Sequence, residues 1–97
     1  MIEKFERFMC DKHIGRKNAI TSKEIENIFQ CKGTDVRRIV NELRSNGVPI
    51  CSSTTGYFYA ETKSEIKYTL AHIDSRIKKI EKAKEGIEEA LNTCENK

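Results

Sequence analysis

The last third of the chain carries a pattern that a small compact domain cannot absorb. Ile66, Leu70, Ile73, Ile77, Ile80, Lys84, Ile87, Leu91 and Cys94 recur at alternating spacings of four and three. This is a heptad repeat with Leu70, Ile77, Lys84 and Leu91 at a and Ile66, Ile73, Ile80 and Ile87 at d. The preceding "TKSE" reads as a capping box, Thr62 capping and Glu65 reaching back to it. No proline follows Pro49. Gly86 falls on the outer face, where it costs about 1 kcal/mol relative to alanine without ending a helix. A helix over 63–93 would run roughly 45 Å at about 1.5 Å per residue. A globule of about 60 residues is only about 27 Å across. The stripe therefore predicts a partner helix, most simply from a second copy. The alternative is two shorter helices folded back over the residues before them.

Helix orientation stays open at this level. Arg76 at g and Glu81 at the following e could bridge in a parallel pair, and Lys84 in a core position is best tolerated in a dimer, where its stem can snorkel to water. Isoleucine at d is not the usual choice of parallel dimers, and Ala83 and Ala90 at g leave room for antiparallel or four-helix packing.

Ahead of the heptads, the periodicity is that of short helices. Ile2, Phe5, Phe8 and Met9 predict a helix over 2–13, and Gly15 and Asn18 then mark a loop with Ala19–Ile20 as a brief strand. "TSKE" opens a second helix through a capping box between Thr21 and Glu24, expected to bury Ile25, Ile28 and Phe29 before "QCKG" interrupts it. A third helix begins near Gly33–Asp35, buries Val36, Ile39, Val40 and Leu43, and stops at "SNG" with Gly47 as left-handed cap. Pro49 prevents its continuation. Ile50–Ser53 reads as a strand, "STTG" as the turn and Tyr57–Ala60 as the returning strand. The fold class is mainly α with a small β-hairpin. Two helices on a tight turn followed by a hairpin make a winged helix-turn-helix over 1–61, with a long C-terminal coiled-coil helix over 62–97.

"ITSKEIENIF…VRRIVNELRSNGVPICSSTTGYFYA" resembles the winged-helix DNA-binding domain of biotin-repressor-type regulators and small winged-helix proteins of phages and prophages. The match is most specific over Val40–Ile50, in Leu43-Arg44, Gly47 and Pro49-Ile50, and again at Gly56-Tyr57; it covers about residues 15–61. The resemblance implies DNA binding with the third helix in the major groove. Two positions depart from it. Lys32 stands where a serine or threonine often caps the third helix, and the hairpin tip Ser52–Thr55 has no Arg or Lys for phosphates.

On the third helix, the sector opposite the apolar positions holds Thr34, Arg38, Asn41 and Ser45, flanked by Arg37 and Glu42. Arginine suits the guanine O6/N7 pair and asparagine the adenine N6/N7 pair, while Thr34 could meet a phosphate or a thymine methyl. Arg16 and Lys17, before the second helix, are further phosphate candidates. Residues 11–45 hold eight bases against five acids, a local excess as large as the net charge of +3 on the whole chain. The competing reading is an ordinary solvated face with a pair such as Arg38–Glu42.

Other chemistry finds little support. Cys10, Cys31, Cys51 and Cys94 are widely spaced, and Cys10 with His13 has ligand-like spacing without a second pair, so reduced thiols and no metal are expected. There is no Ser/His/Asp pattern, no phosphate-cradling glycine loop and no carboxylate pair with a pocket, so neither catalysis nor a cofactor is expected. The apolar runs are too short to cross a membrane, and the mixed charges of "MIEKFERFMCDK" do not make a signal peptide. The expectation is a dimeric, sequence-specific double-stranded DNA-binding protein in the cytoplasm of a bacterial host cell. It would be a bacterial or phage transcriptional regulator, with replication-origin binding or a protein-interaction adaptor as alternatives.

Overall fold

A computed structural model of the chain describes residues 1–94. It contains α1 (Ile2–Lys12), a 3-10 turn (Arg16–Asn18), α2 (Ser22–Phe29), α3 (Gly33–Ser45), strands β1 (Ile50–Ser53) and β2 (Gly56–Tyr59), and α4 (Lys63–Thr93). The chain is thus mainly helical, with one two-stranded antiparallel hairpin and a long C-terminal helix. No helix among the described residues is long and apolar enough to cross a membrane.

Local chemistry sets the helix limits. Thr21 accepts the Glu24 amide while the Glu24 carboxylate accepts the Thr21 amide, and Thr62 and Glu65 repeat this reciprocal cap at the start of α4. Each cap satisfies two amides that the first helical turn leaves without partners. α2 ends at Gln30 in the left-handed conformation after only eight residues. α3 ends at Asn46, with Gly47 at φ +83°.

Helices α1 to α3 enclose one core. It combines Phe5 and Met9 of α1, Ile25 of α2, and Val36, Ile39, Val40 and Leu43 of α3 with Ile20 and Ile50. Phe29 packs against this core with its ring 5.7 Å from Phe5 and 5.3 Å from Phe8. Ile28 corrects the expectation for α2, because it is 56% exposed. A helix of two turns meets the core along one narrow line; Ile25 and Phe29, four apart, occupy that line and Ile28 turns off it.

The hairpin pairs Ile50 with Tyr59, Cys51 with Phe58, Ser52 with Tyr57 and Ser53 with Gly56. Its faces have different partners. Ile50 joins the helical core, whereas buried Cys51 and its cross-strand partner Phe58 lie on the other face, where the Cys51 thiol meets the Glu65 carbonyl oxygen of α4 at 3.7 Å. Both edges are also closed. On the β2 edge, Ile20 and Tyr57 exchange two backbone hydrogen bonds of 2.8 Å, while Tyr59 donates to the His13 carbonyl and accepts from the Gly15 amide. The expected Ala19–Ile20 strand is therefore a single bridge at Ile20, since the Ala19 amide is spent closing the 3-10 turn on the Arg16 carbonyl. On the β1 edge, Arg44 Nε donates to the Ile50 carbonyl and the Ser52 amide donates to Thr69 Oγ1. A sheet so covered has no free edge to recruit another strand.

α4 is one continuous helix of 31 residues, not two folded-back segments. Its first turns belong to the hairpin: Thr69 is buried, and Ile66 and Ile73 are half-buried on either side of it. Cys94 caps the helix, and residues 95–97 of the expected 62–97 segment lie outside the described residues.

Candidate nucleic-acid interface

α3 starts with half a capping box. The Asp35 carboxylate accepts the Lys32 amide at 3.0 Å, but the ammonium of Lys32 has no lone pair to return the bond. Asp35 also forms a surface pair of the kind that the competing solvated-face reading exemplified with Arg38 and Glu42: Arg38 Nη2 lies 3.6 Å from its carboxylate. That ion pair is solvent-exposed, with the Arg38 side chain 62% accessible, so Arg38 can exchange it for another anion at little cost.

Because Val36, Ile39, Val40 and Leu43 are all buried, the α3 helix turns Thr34, Arg37, Arg38, Asn41 and Ser45 together to the solvent side. The Arg37 guanidinium and the Glu26 carboxylate both flank Gly33, where α3 follows α2 closely. Ser45 donates its hydroxyl proton to the Asn41 carbonyl oxygen at 2.8 Å, which leaves its oxygen able to accept. The Asn41 side chain makes no hydrogen bond among the described residues and keeps its donors and acceptor open.

Arg16 and Lys17 are not beside this row. They line a depression with Thr55 of the hairpin tip and with Glu61 and Glu65 at the start of α4. The Arg16 guanidinium lies 5.5 Å over the Tyr68 ring, and its backbone amide donates to Glu65 Oε2 at 2.9 Å. Glu65 also accepts the amides of Glu61 and Thr62. Those backbone donors, Glu61 first and then Arg16, hold its carboxyl below the ordinary range, and the carboxylate ties the 3-10 turn to α4.

Two residues not singled out for the site shape it. Arg44 is half-buried behind the α3 row and bonds Ile50 and Ser52, with burial lowering its proton affinity. Arg76 of α4 lines a groove with Asn41 and Ser45 of α3 and the apolar Ile73, Ile77 and Ile80. Neither is marked by its neighbours in sequence: Thr69 holds a flanking position of the heptad, and its burial shows that this side of α4, which Arg76 continues two turns further on, is turned toward the domain.

The heptad residues divide at this groove. Ile66 and Ile73 are drawn partly onto the hairpin, while Leu70, Ile77, Ile80, Ile87 and Leu91 stand 48–72% exposed, and Lys84 is exposed among them. Comparison with protein-family models, curated proteins and solved structures finds no match to the chain.

Proposed function

We propose that the chain is a sequence-specific double-stranded DNA-binding protein of the winged helix-turn-helix type, acting as a homodimer through α4. The observation that supports this most is the solvent row of α3. It presents Arg37, Arg38 and an unengaged Asn41 side by side, on a helix whose other side is fixed in the core. Such a helix enters a major groove as a rigid reader, Arg38 on guanine and Asn41 on adenine, with Thr34 and Ser45 on the backbone or a thymine methyl. α2, α3 and the hairpin take the parts of positioning helix, recognition helix and wing, and Arg16 and Lys17 flank the wing as phosphate contacts. The exposed remainder of the stripe, from Leu70 through Ile77, Ile80, Lys84 and Ile87 to Leu91, forms the seam that holds two readers at a fixed separation, with Ile66 and Ile73 shared between seam and hairpin. Regulation of transcription in a bacterium or phage is the role this arrangement serves most directly; marking a replication origin uses the same contacts.

One observation favours a second reading, an adaptor that binds protein. The groove between α3 and α4 puts Asn41 and Ser45 next to Ile73, Ile77 and Ile80, a mixed surface that also suits a partner helix. Selection of duplexes from a random pool separates the two readings. A reader enriches a defined sequence, and its affinity falls steeply as salt rises. Replacing Arg38 or Asn41 by alanine then costs about 1–3 kcal/mol on the selected site and relaxes choice at one base. If no sequence is enriched and retention is insensitive to salt, the adaptor reading replaces it.

A further inference from the structure

We propose that a strip of α4 centred on Arg76, continuing through His72 and Tyr68 to Arg16, binds the phosphate backbone of double-stranded DNA beside the α3 reader. The proposal rests on the reading of α3 as a DNA-binding helix and supplies the charge that the wing lacks.

Tyr68, His72 and Arg76 recur every four residues and so share one side of α4. The Arg16 guanidinium lies over the Tyr68 ring at 5.5 Å, and the Tyr68 ring meets His72 at a tilt of 52° with centroids 4.5 Å apart, which joins the three side chains at this end of the strip. The facing wall is the hairpin tip: Ser52, Ser53 and Thr54 line one groove with Tyr68, His72 and Arg76. Hydroxyls on one wall and a guanidinium on the other form a set of donors suited to phosphate oxygens. Arg76 also lines the next groove with Asn41 and Ser45 of α3, so the strip and the reader meet at one residue.

The electrostatics point to an anionic partner. No acidic side chain lines either groove, and among the described residues no carboxylate lies within ion-pairing distance of Arg76. Arg76 instead shares the second groove with Arg44, whose proton affinity is lowered chiefly by burial and least by the charge of Arg76. Two guanidiniums without an intervening carboxylate repel one another, and an arriving phosphate relieves that repulsion. The Arg16 end is less positive, because Glu61 and Glu65 line the adjoining depression. Arg76 is therefore the principal contact. A protein partner with isolated acids would need only one such site, whereas a continuous row from Asn41 to Arg16 matches a backbone of repeated phosphates.

The test measures binding of the full chain to its selected duplex over a salt series. Arg76→Ala should weaken binding to all sequences by the same factor and flatten the slope of log affinity against log salt by about 0.9 for each phosphate no longer neutralised. Base preference should be unchanged, and Arg76→Lys should restore the slope. Adding Arg16→Ala should flatten it further. If Arg76→Ala and the double variant keep the parent's affinity and slope while Arg38→Ala/Asn41→Ala loses specificity, the strip does not touch DNA. Weakening that sedimentation traces to loss of assembly overturns the proposal as well. If the parent itself shows no salt-dependent duplex binding, the reading of α3 has failed first.

Discussion

Arg44 of α3 donates its Nε proton to the Ile50 carbonyl oxygen at 2.8 Å, and its Nη2 reaches Ser52 Oγ at 3.3 Å. One side chain thus fastens the end of α3 to the strand that follows, across the turn at Gly47. With Thr69 accepting the Ser52 amide, it closes the outer edge of β1.

Arg44→Met keeps most of the stem and removes every donor, leaving the Ile50 carbonyl without its partner. A hydrogen bond from a charged donor contributes about 1.5–3 kcal/mol, and an equilibrium denaturation curve should show a loss of that size. Arg44→Lys should recover only part, because one ammonium cannot reproduce the planar fork that spans two acceptors. A methionine variant as stable as the parent would show that water replaces the bond without cost.

Glu65 gives the fold a defined acid sensitivity. Its carboxyl titrates below the ordinary range because the amides of Glu61, Arg16 and Thr62 bond the ionised form. The stabilisation is present above the unfolded-state pKa, about 4.3, and is lost as pH falls through the lower folded-state value. Denaturation midpoints measured from pH 6 to pH 2.5 should therefore decline more steeply for the parent than for Glu65→Gln, which has no carboxyl to protonate. Parallel profiles would mean that the three amides do not favour the ionised form.

Most of the element order can be read from the sequence because short-range chemistry fixes it. The Thr21/Glu24 and Thr62/Glu65 caps, the four buried positions of α3 and the stop at Asn46-Gly47 are each decided within a few residues. The features that cannot be read depend on which element packs where. Ile28 has the same local pattern as a core residue and is exposed only because α2 is short and has one line of contact. Thr69 looks like a neutral flanking position of the heptad, yet the unpaired Ser52 amide draws it inward. Arg38 could bond Asp35 or Glu42 equally well by spacing; the exposed row of α3 was legible, its pairing was not. The separation of Arg16 and Lys17 from that row, and the approach of Arg76 to Asn41, follow from the path of α4 across β1, which no local signal encodes.

Two glycines distinguish backbone strain from collision. A Cβ at Gly47 would meet nothing within 4 Å, so Gly47→Ala carries only the left-handed penalty of about 1–2 kcal/mol. At Gly56, φ is +129° and a Cβ would lie 2.2 Å from the Ile20 carbonyl oxygen, whose bond to the Tyr57 amide closes the β2 edge. Gly56→Ala must push Ile20 away or break that bridge, so it should destabilise clearly more than Gly47→Ala in the same chemical denaturation series. Equal effects would place Ile20 far enough from the hairpin to make room.

Assembly is the remaining test, and it bears on the α4 stripe. Ile77 and Ile80 stand 48% and 66% exposed although they continue the line that Ile66 and Ile73 begin against the hairpin. An apolar row running past its own domain leaves water only when another helix covers it. Aspartate at both positions would put charges without partners into that seam, each costing several kcal/mol after relaxation. If α4 forms the proposed dimer, sedimentation should find the parent dimeric and Ile77→Asp/Ile80→Asp monomeric. Its thermal unfolding should still report a cooperative fold, because the core of Phe5, Met9, Ile25, Val40 and Ile50 does not include either residue. The monomer should bind a half-site but lose the advantage of tethering two readers, which can reach about 10²–10⁴-fold when both sites are engaged. Exposed Cys94 at the end of α4 reports orientation, since only parallel helices bring the two copies together for mild oxidation to link. If the double aspartate variant stays dimeric, or the parent is monomeric at high concentration, α4 is not the seam. DNA binding by the parent would then be that of a single reader on a single half-site.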